Sequence, residues 1–146
     1  MSDIPSAHQD RLKGLYAITD EKLITEELFS DDIESALLCG TRIIQYRDKS
    51  DNQQKRLQQA NILRTLCTKY SATCIINDDI ELAKAVDADG VHLGRDDAAL
   101  SNARQELGAD AIIGISCYND IELARIAEKN SADYVAFGTM FSSPTK

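Results

Sequence analysis

The 146-residue sequence has no apolar run near the roughly 20 residues that cross a bilayer, and its start, MSDIPSAHQDRLKG, lacks the hydrophobic core of a secretory signal. Basic charge is also scarce: 16 Lys and Arg stand against 24 Asp and Glu, a formal net charge of −8. Broad binding to nucleic acid or anionic membrane needs a basic surface, so both classes are disfavoured. The four cysteines, Cys39, Cys67, Cys74 and Cys117, form no C-x-x-C pair, and there are two histidines, His8 and His92. That is too little for a zinc site, so the thiols read as small apolar residues in a reducing compartment. Low-complexity tracts and inter-domain linkers are missing as well. The expectation is one soluble, cytoplasmic domain.

What is present alternates. Short aliphatic or β-branched runs occur at Leu15–Ile18, Arg42–Tyr46, Thr73–Ile76, Gly90–Leu93, Ile112–Ile115 and Tyr134–Phe137. Between them lie stretches with apolar residues three and four apart, the spacing of one helix face. Ile33, Ala36 and Leu37 mark the first, closed by Gly40, and Gln53 to Tyr70 the second. Ile80–Val86, Ala98–Leu107 and Ile121–Glu128 give three more, with Asp79 and Asp120 at N-cap positions. The result is β-α five times and a sixth strand.

The chain also echoes itself. Asp79-Ile-Glu-Leu-Ala-Lys84 returns as Asp120-Ile-Glu-Leu-Ala-Arg125, 41 positions on. Ala88-Asp-Gly-Val-His-Leu-Gly94 returns as Ala132-Asp-Tyr-Val-Ala-Phe-Gly138, 44 positions on. Both spacings are about two β-α units. Alternate strands of a parallel barrel fill the same interior layer, which favours a (β/α)8 TIM barrel over a doubly wound sheet. Such a barrel spans about 250 residues, so the chain reads as its first three-quarters: residues 1–13 as an extension, 14–146 as six strands and five helices. On that reading the first and sixth strands are unpaired edges that invite self-association, and the 146-residue chain alone is expected to be inactive.

Barrel chemistry sits just past the strand C-termini. There the sequence turns polar: Gln45-Tyr46-Arg47-Asp48-Lys49, Asn77-Asp78-Asp79, Gly94-Arg95-Asp96-Asp97, Ser116, and Ser143-Pro144-Thr145-Lys146. A bare anion site would repel those carboxylates. Carboxylates beside cations make sense where Mg²⁺ bridges them to phosphate oxygens, so the pattern points to a magnesium-bound diphosphate. No Ser-His-Asp or Cys-His arrangement is evident, and His92, between Val91 and Leu93, reads as a packed strand histidine. Each polar residue has a plainer alternative. Arg47 and Lys49 also suit solvated loop charges, Asp78 a helix cap, and Asp96 and Asp97 the first turn of the next helix.

The runs GLYAITD (14–20), IQYRDK (44–49), INDDIELAKAVDADGVHLGRDD (76–97), GIS (114–116) and FGTMFSSPTK (137–146) together resemble the thiamine-phosphate synthase family. The resemblance implies a (β/α)8 barrel that transfers a pyrimidinylmethyl group from its diphosphate to a thiazole phosphate, with Mg²⁺ as cofactor. It also implies that Gln45 reads the aminopyrimidine, and that Arg47, Lys49, Asn77, Ser116 and Lys146 hold the diphosphate. Arg47, Lys49, Ser116 and Lys146 would then be catalytic, with Tyr46 and Asp48 in the same substrate-binding run. Asp78 and Asp97 would ligate Mg²⁺, and Ser143, Pro144 and Thr145 would face the thiazole phosphate. Asp48 stands where the family more often has Glu, and Ser143 where it commonly has Thr. A regulatory or thiazole-isomerising relative should lack the diphosphate and metal residues, which are kept here. A ligand-binding fragment of a barrel is the non-enzymatic alternative. The partners implied are two small-molecule substrates and, through the strand edges, a second copy of the chain.

Overall fold

The computed structural model describes residues 8–94 and 97–138, with the side chains of Asp97 and Ala98 left out. A short 3-10 turn (Gln9–Leu12) precedes β1 (Tyr16–Ile18), α1 (Phe29–Leu38), β2 (Ile43–Tyr46), α2 (Gln53–Lys69), β3 (Thr73–Asn77) and α3 (Ile80–Ala85). Then follow β4 (Gly90–Leu93), α4 (Asp97–Leu107), β5 (Ile112–Tyr118), α5 (Ile121–Lys129) and β6 (Tyr134–Phe137). All six strands are parallel and pair in chain order, β1 to β6. Two bounds move functionally relevant residues. β5 runs on to Tyr118, so Ser116 lies inside the strand and not in the loop beyond it. α4 opens at Asp97. Among the described residues no helix is long and apolar enough to cross a membrane.

The sheet curls. In a flat sheet, five inter-strand steps of about 4.8 Å would hold β1 and β6 about 24 Å apart. Instead the phenol oxygens of Tyr16 and Tyr134 lie 2.7 Å apart across the concave face. Strand alternation sorts the side chains onto two faces. Ile44, Tyr46, Cys74, Ile76, Val91, Leu93, Ile113 and Ile115 point outward into the main core beneath the helices, with Leu63, Cys67, Leu82 and Leu100. Ile43, Ile75 and Ile112 point inward and form a smaller apolar plug with Leu12, Tyr16 and Tyr134. What the structure establishes is thus a half-barrel of six strands and five helices.

The internal echo has a physical cause at both strand ends. Asp79 and Asp120 cap α3 and α5, accepting from Leu82 N at 2.9 Å and from Glu122 N at 2.9 Å. At the opposite face, Asp89 Oδ2 accepts Cys74 N at 2.7 Å and Arg64 Nη1 at 2.9 Å. Two units later Asp133 Oδ2 accepts Ile113 N at 2.8 Å and Arg104 Nη2 at 2.9 Å. Each aspartate takes the orphan amide that starts a neighbouring strand and ties it to an outer helix. Arg11 of the 3-10 turn also pairs with Asp89, fastening the N-terminal residues under the sheet.

Asp133→Ala should therefore cost about 2–3 kcal/mol, because the Ile113 amide and the Arg104 guanidinium lose a charged partner in a mostly buried place. Asp120→Ala, at an exposed cap, should cost about 1 kcal/mol. Urea unfolding of the two variants checks this, and equal losses would contradict the assignment.

Candidate active site

A cavity of about 520 Å³ opens at the C-terminal ends of the strands. Six of the residues singled out from sequence line it: Gln45, Arg47, Lys49, Asn77, Asp78 and Ser116. The run 45–49 stays extended past β2, so its side chains alternate. Gln45, Arg47 and Lys49 face the cavity, whereas Tyr46 and Asp48 point outward. Tyr46 is buried edge-on against Phe29, its ring centroid 6.0 Å away, and donates to Gln59 Oε1 at 3.0 Å. Asp48 lies 3.0 Å from Lys55 Nζ and accepts Ser50 N at 2.7 Å. Burial opposes its charge, but the Ser50 hydrogen bonds and the Lys55 ammonium outweigh it and hold the carboxyl below its ordinary value. The structure thus gives Tyr46 and Asp48 a place in the packing of α2, not on the cavity wall.

Local bonds fix the backbone at Arg47 and the turn at Asp78. The Thr19 hydroxyl, just past β1, accepts Arg47 N at 2.8 Å and donates to Arg47 O at 3.2 Å, so the backbone at Arg47 is gripped from the neighbouring strand. After β3 the chain turns through a left-handed residue, Asp78, with φ of 60°. Aspartate tolerates that conformation better than most side chains. The turn sets Asp78 on the cavity wall while Asp79 faces away as the α3 cap and pairs with Arg56 at 2.7 Å. Asn77 Nδ2 donates to Asp78 Oδ2 at 2.9 Å.

Four aromatic rings and an imidazole complete the wall, and the sequence reading missed them: Tyr16, His92, Tyr118, Tyr134 and Phe137. Along the concave face Gln45 Nε2 donates to Tyr16 OH at 2.8 Å, and Tyr16 OH is hydrogen-bonded to Tyr134 OH at 2.7 Å. Tyr134 OH is bonded to His92 Nδ1 at 3.0 Å, and His92 Nε2 to Ser116 Oγ at 2.8 Å. The Tyr134 ring stacks on His92 and covers Gly114, where a Cβ would run into the phenol carbons. The signal that could have found this layer is the period of two: Tyr16, Gln45, His92, Ser116 and Tyr134 all fall on inward positions of their strands.

A divalent ion has a partial set of ligands here. Asp78 is the one carboxylate among the described lining residues, and among the described residues no three His, Cys, Asp or Glu side chains cluster to hold a metal. One carboxylate beside an amide and two cations fits an ion whose remaining ligands are substrate phosphates. Asp97 is the first residue of α4, and its side chain lies outside the described residues. So do Ser143, Pro144, Thr145 and Lys146.

The sequence profile of the family described as thiamine monophosphate synthase matches residues 15–146. The chain is 53% identical over 136 residues to the thiamine-phosphate synthase of Chromobacterium violaceum, covering 93% of this chain and 65% of that protein. It is 50% identical over 135 residues to the enzyme of the same name from Nitrosococcus oceani, covering 92% and 62%. A solved structure, the thiamine phosphate pyrophosphorylase from Pyrococcus furiosus, superposes with a TM-score of 0.76 at 36% identity, over 86% of this chain and 60% of that one. The chain thus spans somewhat under two thirds of the length of these relatives.

The Asp48–Lys55 pair gives a test of the outward assignment. Because the folded carboxyl titrates lower than a free one, its contribution is complete above the ordinary carboxylate range and is lost as pH falls through the folded value. Asp48→Asn should cost about 3 kcal/mol near neutral pH, as expected for one partner removed from a buried pair, and should flatten the acid limb of a stability–pH profile. Its effect on binding of inorganic diphosphate, read by calorimetry, should be within about twofold, against a much larger loss for Arg47→Ala.

Proposed function

We propose, from the premise that this chain belongs to the thiamine monophosphate synthase family, that its protein joins a pyrimidinylmethyl diphosphate to a thiazole phosphate and releases diphosphate. The carrying observation is the single cavity in which Arg47, Lys49, Asn77, Asp78 and Ser116 share a wall with Gln45. Two cations and a hydroxyl donor line the same cavity as an amide able to read a heterocycle, and that amide is bonded to the Tyr16 phenol. On the same reading the curled sheet is part of a closed (β/α)8 barrel, and the protein is a cytoplasmic enzyme.

The chemistry asks little of the protein in nucleophiles or bases. The bond from the pyrimidine methylene carbon to the diphosphate oxygen breaks, with its electron pair leaving on the diphosphate. The exocyclic amine stabilises the resulting benzyl-like cation, and the thiazole nitrogen then forms the new C–N bond. Arg47 and Lys49 offset the charge that grows on the departing oxygen, and Asn77 and Ser116 fix the phosphate orientation. Gln45 holds the pyrimidine, and the rings of Tyr16, Tyr134 and Phe137 keep water from the carbocation. Mg²⁺, when held by Asp78 and Asp97, supplies further charge neutralisation to the diphosphate. Ser143, Pro144 and Thr145 take the thiazole phosphate, and Lys146 joins the diphosphate grip. Self-association is also part of the reading, since Leu15 and Ile18 of the β1 segment are 64% and 56% exposed and Phe137 of β6 is 51% exposed.

Two measurements test this, with activity followed as thiamine phosphate formed by the chain extended to its relatives' length. Asp78→Asn or Asp97→Asn should slow coupling at least about 100-fold and weaken Mg²⁺-dependent diphosphate binding, whereas Asp79→Asn, which still caps α3, should cost far less. Equal losses at all three would remove the separation of ligand from cap. Arg47→Ala or Lys49→Ala should lower turnover more than thiazole phosphate affinity, because their charge matters most as diphosphate separates. A loss confined to thiazole phosphate binding would assign them to the other phosphate.

A further inference from the structure

Among the described residues a file of hydrogen bonds crosses the concave face: Gln45 Nε2 to Tyr16 OH, Tyr16 OH to Tyr134 OH, Tyr134 OH to His92 Nδ1, and His92 Nε2 to Ser116 Oγ. Its five members come from β1, β2, β4, β5 and β6, and both end residues line the cavity. Such a file has a direction, because each hydroxyl holds one proton and a neutral imidazole donates from one nitrogen and accepts at the other. An amide nitrogen only donates. Starting from Gln45, Tyr16 accepts and passes its proton to Tyr134, and Tyr134 passes its own to His92 Nδ1. The imidazole proton is then on Nε2 and points at Ser116 Oγ. Burial pushes the Tyr16 and Tyr134 phenols above their ordinary values, so both retain the proton this count requires.

We propose that Tyr16, Tyr134 and His92 are positioning residues that lock this direction, so that the cavity meets Gln45 as a carbonyl acceptor and Ser116 as a hydroxyl donor. The two ends are coupled. Turning the Gln45 end into an acceptor of the Tyr16 proton reverses every link, moves the imidazole proton to Nδ1 and makes Ser116 donate to His92 instead of to a ligand. A substrate with a hydrogen-bond donor at the Gln45 end and phosphate oxygens at the Ser116 end matches the observed direction at both ends. One with an acceptor at the Gln45 end does not. The specificity for an amino-substituted heterocycle linked to an anion is thus written in one proton order. The substrate class rests on the function proposed above, but the proton order does not.

The ligand-free chain provides the test. With ¹⁵N-labelled histidine, the couplings between ring nitrogens and carbon-bound protons report the tautomer, and a His8→Gln variant assigns the two histidines. His92 should be protonated at Nε2 in the wild type. Ser116→Ala should leave that tautomer in place, since Tyr134 still donates to Nδ1. Gln45→Glu, read above pH 8, should shift the proton to Nδ1, three hydrogen bonds from the substitution. A wild-type ring protonated at Nδ1 or at both nitrogens, loss of the tautomer in Ser116→Ala, or no shift in Gln45→Glu would each overturn the inference. Because no substrate is present, such a failure leaves the diphosphate reading standing. A correct tautomer with no diphosphate binding would remove that reading and leave the proton order.

Discussion

The hydrogen bond between the phenols of Tyr16 and Tyr134 is the contact on which the arrangement of this molecule turns. It joins the first and last strands of a six-strand parallel sheet across the space they enclose. Without a curl there is no concave face, and without that face the residues past six separate strands never meet. The contact is compatible with burial because neither phenol is left unpaired: each has a second partner, Gln45 for Tyr16 and His92 for Tyr134. Below it Ile43, Ile75 and Ile112 exclude water, and above it the cavity opens. The apolar plug sets the floor height, and the polar file on top supplies that floor with directional groups.

The outer and lower parts of the molecule are organised so that this inner layer holds still. Asp89 and Asp133 satisfy strand-starting amides at the end remote from the cavity and recruit Arg64 and Arg104 from the helices. The two helix caps of the echo, Asp79 and Asp120, work at the cavity end. One repeated sequence unit therefore recurs because one mechanical task recurs, that of fixing a strand at its start and the following helix at its start. Stability sits at the closed face, and chemistry is free to vary at the open one.

Much of this was legible in residue order. Strand count, helix count and both cap aspartates follow from period and punctuation, because each depends on neighbours within a few positions, and parallel order follows from the alternation of strand and helix. Gln45, Arg47, Lys49, Asn77, Asp78 and Ser116 line the cavity because polar residues on the inner face of barrel strands, or just past their C-terminal ends, have one obvious place to go. What escaped was orientation. The 45–49 run reads as one polar patch, yet extended backbone sends alternate side chains to opposite faces, and Tyr46 and Asp48 went to the helix side. His92 reads as packing, which its burial supports, but its neighbours on the inner face are a phenol and a hydroxyl drawn from strands 24 and 42 residues away. Pairing across such separations depends on register between strands, which no local pattern carries.

The two tiers of the concave face also divide the labour that the proposed reaction requires. The rim holds full charges, Arg47 and Lys49 with Asp78, close to solvent in a protein whose net charge is −8. On the proposed reading, local cations in an acidic molecule would draw a diphosphate to this rim. Among the described residues the deeper tier is built of amide, phenols, imidazole and hydroxyl. That suits a site where a carbocation forms: a fixed carboxylate or amine beside it would capture it or repel it, whereas oriented dipoles stabilise charge without reacting. The phenols contribute their rings to that environment, and on the proposed order each phenol oxygen accepts a hydrogen bond, from Gln45 at Tyr16 and from Tyr16 at Tyr134. On that reading the groups that bear charge stand apart from those that stay inert, and the curl of the sheet keeps both around one cavity.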